Sequence, residues 1–106
     1  AVAKGKKGPR KYLGVAPYRQ TGKWEAHIWA KGGTLEGGEK GKQLHLGYFS
    51  NPTSAAQAYD RAALFLRGKK AQINMPVAEY DQDPVMKALR SCERADFLSL
   101  LKRLCT

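Results

Sequence analysis

Residues 51–68 place the tightest constraint on the fold. Asn51 can cap a helix, Pro52 suits its first turn, a periodic run continues to Arg67, and Gly68 ends it. Ala55, Ala56, Tyr59, Ala62, Ala63 and Leu66 recur at spacings of three and four, so the apolar stripe of this predicted helix is mostly alanine. Small side chains let a helix lie close to a sheet. The bulk of the core must then come from that sheet.

The preceding residues supply it. From Tyr12 to Phe49 the sequence has period two, broken by turn residues, which predicts a meander of three antiparallel strands. The first is expected at about 12–18, followed by a hairpin turn over Arg19-Gln20-Thr21-Gly22 with Gly22 available for a positive φ. The second, about 23–30, sorts Trp24, Ala26, Ile28 and Ala30 onto one face and Lys23, Glu25, His27 and Trp29 onto the other. Residues 31–41 contain five glycines and read as a long, mobile loop. The third strand, about 42–49, turns Leu44 and Leu46 to the core and Gln43 and His45 outward. Trp24, Ile28, Leu44 and Leu46 complement the alanine stripe. The fold class is therefore α+β, a three-stranded antiparallel sheet packed on one helix.

A connector through Ile73 and Met75-Pro76 leads to a C-terminal helical extension that starts at Asp83-Pro84. Val85, Leu89, Cys92, Phe97, Leu100, Leu101 and Leu104 fit one long stripe, but Ser91 is a reasonable cap, and two short helices are the preferred reading. Such a tail is expected to pack on its own domain. The alternative is a protein partner or self-association through residues 84–104.

Charge narrows the function. The chain of 106 residues carries 19 Lys+Arg against 9 Asp+Glu, a net charge of +10. This length suits one small domain and leaves no room for a two-domain catalytic cleft. No apolar run approaches the roughly 18–20 residues of a membrane span. Residues 1–50 hold ten of the cations and three acids, and residues 1–11 alone hold Lys4, Lys6, Lys7, Arg10 and Lys11 without an acid. That opening segment reads as a flexible basic arm suited to a polyanion, or as a solvated linker or part of a localisation signal. Starting at Ala1, the chain reads as a piece of a longer protein. Cys92 and Cys105 read as small buried hydrophobes of a reducing compartment, cytosol or nucleus, rather than as a disulfide. No nucleophile and base stand out, and His27 and His45 have no third ligand nearby, so the chain is expected to be no enzyme and to need no cofactor or metal.

Tyr12-Leu13-Gly14-Val15, Gly22-Lys23-Trp24-Glu25-Ala26, Leu46-Gly47-Tyr48-Phe49 and Ala55-Ala56-Gln57-Ala58-Tyr59-Asp60-Arg61-Ala62-Ala63, followed by Leu66-Arg67-Gly68 and Asn74, resemble the APETALA2/ethylene-response-factor DNA-binding domain of plant transcription factors. The likeness covers about residues 12–76, which divides the chain into a basic arm (1–11), an APETALA2-type domain (12–76) and a helical extension (77–106). Val15-Ala16-Pro17, Trp24, His27-Ile28-Trp29 and the tail from Arg94 to Arg103 look more like the RAV branch than the ethylene-response branch. The resemblance implies a nuclear protein that binds double-stranded DNA with its sheet in the major groove. Domains of this kind also target homing endonucleases to DNA, and an aromatic sheet face could instead hold single-stranded DNA or RNA.

Carried over position by position, the resemblance implies a groove-facing set of Ala16, Tyr18, Lys23, Glu25, His27, Trp29, Gln43 and His45, with Arg19 in the turn for a guanine or a phosphate. Arg10, Lys11, Gly14, Lys31, Lys40, Lys42 and Tyr59 form the set for the DNA backbone, although Tyr59 also reads as packing and Trp24 as core. The ethylene-response branch has arginines where this chain has Leu13, Ala16, Trp29 and Gln43, and tryptophan or tyrosine where it has His45. Arginine is the usual reader of guanine, whereas glutamine pairs with adenine and glutamate accepts from cytosine. A mixed or A/C-containing target is expected.

Overall fold

The computed structural model describes residues 12–18, 20–33 and 38–105. Arg10, Lys11 and the rest of the basic arm, Arg19, residues 34–37 and the side chain of Cys105 lie outside the described residues. Strands β1 (Val15–Tyr18), β2 (Lys23–Ala30) and β3 (Lys42–Phe49) form one antiparallel sheet in the order β1-β2-β3. Helix α1 (Pro52–Arg67) crosses it, followed by α2 (Pro84–Ser91) and α3 (Phe97–Cys105). This is the expected α+β arrangement.

The first strand is shorter than its alternation suggests, because residues 12–14 form a turn. Asn74 takes both backbone groups of Leu13: its Oδ1 accepts from Leu13 N at 2.7 Å and its Nδ2 donates to Leu13 O at 3.2 Å. Those groups are then unavailable to a ladder. Gly14 at φ 71° turns the chain into β1, and its carbonyl accepts from His27 N at 2.9 Å. The hairpin to β2 closes through Gly22 N donating to Tyr18 O at 3.0 Å.

β2 and β3 pair through a bulge that the alternation does not reveal. Trp24, Glu25 and Ala26 face Phe49, Tyr48 and Gly47, whereas His27, Ile28 and Trp29 face His45, Leu44 and Gln43. Leu46 is the extra residue. A bulge bends its strand and changes which residues share a face. Leu44, Leu46 and Phe49 are buried as a result, and Gln43, His45 and Tyr48 share the outer face with His27 and Glu25. Gly47, at φ 134°, makes the irregularity without strain.

Asn51 caps α1 as expected, its Oδ1 accepting from Ser54 N at 2.8 Å. Ala55, Ala58, Ala62 and Ala63 are buried among Ala26, Ile28, Ala30, Leu44, Leu46 and Phe49. The core continues into the C-terminal helices. Phe97 stacks on Phe65 with ring centroids 4.3 Å apart, and Met86, Leu89 and Leu101 are fully buried. Asp83 caps α2, accepting from Met86 N at 3.1 Å. Ser91 ends α2 instead of capping the next helix, and its Oγ donates to Lys87 O at 3.1 Å. Cys92 is a half-buried free thiol, with Sγ 3.2 Å from Leu89 O.

Asp60 and Arg61 have separate duties. Asp60 is completely buried and accepts from Asn74 N (2.7 Å), Asn74 Nδ2 (3.1 Å), Met75 N (2.8 Å) and Tyr80 OH (2.8 Å). A buried carboxylate is tolerated when its lone pairs are filled in this way. Arg61 Nε pairs with Asp83 Oδ2 at 2.8 Å and its Nη2 with Oδ1 at 3.2 Å, tying α1 to the start of α2. Burial pushes the Asp83 carboxyl upward, but the Arg61 hydrogen bonds and charge and the N–H groups of Met86 and Val85 outweigh it, holding the group below its ordinary range. Among the described residues, no helix is long and apolar enough to cross a membrane.

Candidate nucleic-acid interface

With α1 against one face of the sheet, the other face presents its side chains in register. Tyr18 lies beside Lys23, Glu25 lies between Ala16 and Tyr48, His27 lies opposite His45, and Trp29 lies opposite Gln43. Every described member of the groove-facing set is therefore brought to this one surface. Trp29 is 51% exposed, and its ring lies across Gly41, where an added Cβ would come within 2.8 Å of Trp29 Cζ2.

The face is laced together by its own polar and aromatic contacts. Gln43 Nε2 lies 2.9 Å from His27 Nδ1. Tyr18 and Tyr48 meet across β2 with ring centroids 4.7 Å apart, and His45 lies at the same distance from Tyr48. Tyr18 OH donates to Gln20 Oε1 at 2.9 Å. His45 Nε2 is buried without a hydrogen-bond partner among the described residues. Desolvation, with the nearby Tyr18 and Glu25, raises the Tyr48 hydroxyl above its ordinary pKa.

Tyr48 is the member of this face that alternation does not identify. Strict period two from Leu44 and Leu46 turns it inward, yet it is 43% exposed on the outer face. The signal in the sequence is Gly47, because an isolated glycine inside a strand often marks a bulge.

Exposed lysines flank the surface. Lys23 sits at the hairpin end, and Lys31, Lys40 and Lys42 gather at the opposite end, where Lys42 pairs with Ala30. Gly14 and Tyr59, also in the set expected for the DNA backbone, pack against each other. A Cβ on Gly14 would collide with the Tyr59 ring and come 2.6 Å from His27 O. The Tyr59 hydroxyl accepts from Arg67 Nη1 at 3.4 Å, while Arg67 Nη2 donates to Trp29 O at 2.8 Å. Among the described residues no group of three or more His, Cys, Asp or Glu is placed to hold a metal ion.

No family model matches the chain. Curated relatives do. The chain is 40% identical over 104 residues to APETALA2-like protein 2 of Oryza sativa, in both the indica and japonica subspecies, covering 94% of this chain and 21% of the relative. It is 39% identical over 106 residues to the AP2-like ethylene-responsive transcription factor TOE2 of Arabidopsis thaliana, covering 96% and 20%. With AIL7 of the same plant it shares 37% over 93 residues, covering 87% and 18%. The chain thus spans about a fifth of the length of the relatives it matches. A likeness of this strength along nearly the whole chain, joined to a three-stranded antiparallel sheet followed by helices, supports an AP2/ERF domain similar to a segment of the AP2-like ethylene-responsive transcription factors.

Proposed function

We propose that the chain is the sequence-specific, duplex-DNA-binding part of a plant-type nuclear transcription factor, without chemistry of its own. The outer sheet face enters the major groove, a channel about 12 Å wide that admits a small β-surface. The observation that carries this reading is the collection of Lys23, Glu25, His27, Trp29, Gln43, His45 and Tyr48 on the face opposite α1, flanked at both ends by exposed lysines. Gln43 reads adenine, Glu25 accepts from cytosine, and Tyr18, Trp29 and Tyr48 meet thymine methyls or the sugar edge. Arg19 takes a guanine or a phosphate, and Arg10, Lys11, Lys31, Lys40 and Lys42 hold phosphates. Placement in a RAV-like branch rests on Val15-Ala16-Pro17, His27-Ile28-Trp29 and the tail; the curated relatives carry AP2-like names.

A second reading is favoured by the Tyr18–Tyr48 pair and the open Trp29 ring, which offer stacking platforms for unpaired bases. Competition among duplex DNA, single-stranded DNA and RNA at physiological salt separates the two. The duplex is expected to win, and selection from a randomised duplex pool to yield a mixed or A/C-containing site. Preference for a single-stranded competitor, or a consensus of G and C alone, overturns the proposal.

A further inference from the structure

We infer that His27 is a positioning residue that holds the Gln43 amide in the orientation that reads adenine, so that protonation of this one imidazole changes the base preferred by the sheet. The inference rests on the proposal that the sheet reads duplex DNA. Gln43 Nε2 lies 2.9 Å from His27 Nδ1. An amide nitrogen only donates, so Nδ1 accepts, and the neutral ring carries its proton on Nε2. The contact is diagonal: Gln43 pairs with Trp29 and His27 with His45, all on the outer face. One amide hydrogen is used by the ring. The other hydrogen and Oε1 remain, the donor and acceptor that pair with N7 and N6 of adenine.

The opposite amide orientation would aim an oxygen lone pair at the lone pair of Nδ1. Neutral His27 therefore selects one orientation. Protonated His27 reverses the selection, because Nδ1 becomes a donor and attracts Oε1. The amide turns, its donor and acceptor exchange places, and the adenine amino group meets an N–H, whereas O6 of guanine finds a donor. Among the described residues, the ionisable groups around His27 on this face are Glu25 on its own strand, His45 opposite on β3 with Tyr48 against it, Tyr18 on β1, and Lys23 and Lys42 toward the ends. Protonating His45 acts equally on two duplexes that differ only at the base pair read by Gln43, so it cancels from the ratio of their affinities.

The test first uses Gln43→Ala to find the base pair at which preference is lost. Duplexes with adenine or guanine there are then compared for the parent, His27→Asn and His27→Ala at about pH 7.5 and about pH 5.5. The parent is expected to favour adenine about three- to tenfold at the higher pH, the worth of one hydrogen bond, and to lose most of that at the lower. His27→Asn, whose side-chain oxygen accepts in place of Nδ1 and does not titrate, keeps the preference at both values; His27→Ala loses it at both. Imidazole ¹⁵N shifts of the free protein should show the Nε2–H tautomer. A pH-independent preference in the parent, an undiminished one in His27→Ala, no base pair sensitive to Gln43→Ala, or an Nδ1–H tautomer overturns the inference while leaving duplex binding intact. Failure of the folded parent to bind duplex overturns the underlying proposal and the inference with it.

Discussion

Asp60 shows how one residue can hold distant parts of a small domain. Its four hydrogen bonds reach Asn74, Met75 and Tyr80, and through Asn74 they extend to the backbone of Leu13 just before β1. Burial, reinforced by the hydrogen bond and negative charge of Asp60, raises the Tyr80 hydroxyl far above its ordinary pKa. The folded state therefore holds this proton more tightly than the unfolded chain, in which tyrosine titrates near 10. The resulting stability is complete below about pH 10 and declines as the pH rises above it. Tyr80→Phe removes a hydrogen bond to a buried carboxylate and should cost about 1.5–3 kcal/mol near neutrality. Urea unfolding at about pH 8 and about pH 11 should show a smaller alkaline loss in Tyr80→Phe than in the parent. Equal losses would mean that Asp60 does not retain the proton.

At the scale of elements, the bulge between β2 and β3 decides what the sheet displays. Before it Glu25 is beside Tyr48; after it His27 is beside His45 and Trp29 beside Gln43. Continuous pairing from Glu25 and Tyr48 would set His27 opposite the buried Leu46 and break up the outer face. Gly47 at φ 134° is the residue that permits this path, a conformation in which a β-branched side chain is strained. Gly47→Val should lower unfolding stability by about 1–3 kcal/mol and disturb the Tyr18–Tyr48 ring contact seen by NMR. A variant of parental stability with that contact intact would show that the bulge does not need glycine. The bounds of β2, β3 and α1 are legible in the sequence because alternation, Asn51-Pro52 and Gly68 are local signals. The split of the C-terminal tail is legible too, though Ser91 is the end of α2. The hidden features are nonlocal. Tyr48 changes faces through a single glycine, Asp60 finds donors 14 to 20 residues downstream, and the 16-residue separation of His27 and Gln43 becomes a contact only through the shifted register.

For the whole molecule, the +10 charge and the identities on the sheet make separable contributions to the proposed binding. Cations that neutralise phosphates release counterions, so log affinity falls with log salt by about 0.9 for each phosphate contacted. Contacts from Lys31, Lys40, Lys42 and part of the basic arm imply a slope of about −4 to −7. Deleting residues 1–11 removes Lys4, Lys6, Lys7, Arg10 and Lys11, half of the net charge. It should make the slope shallower by about 2–4 and weaken all duplexes alike, leaving their order of preference unchanged. Gln43→Ala should do the reverse, changing the order with little effect on slope, since a neutral amide releases no counterion. Titrations at several salt concentrations against a selected and a scrambled duplex measure both quantities at once. A flat salt response would rule out phosphate contacts by the lysines, and an arm deletion that reorders the duplexes would place sequence reading in the arm instead of the sheet. The parent slope and the preference order must therefore come apart in these two variants if lysines supply the affinity and the side chains beside the bulge supply the choice of site.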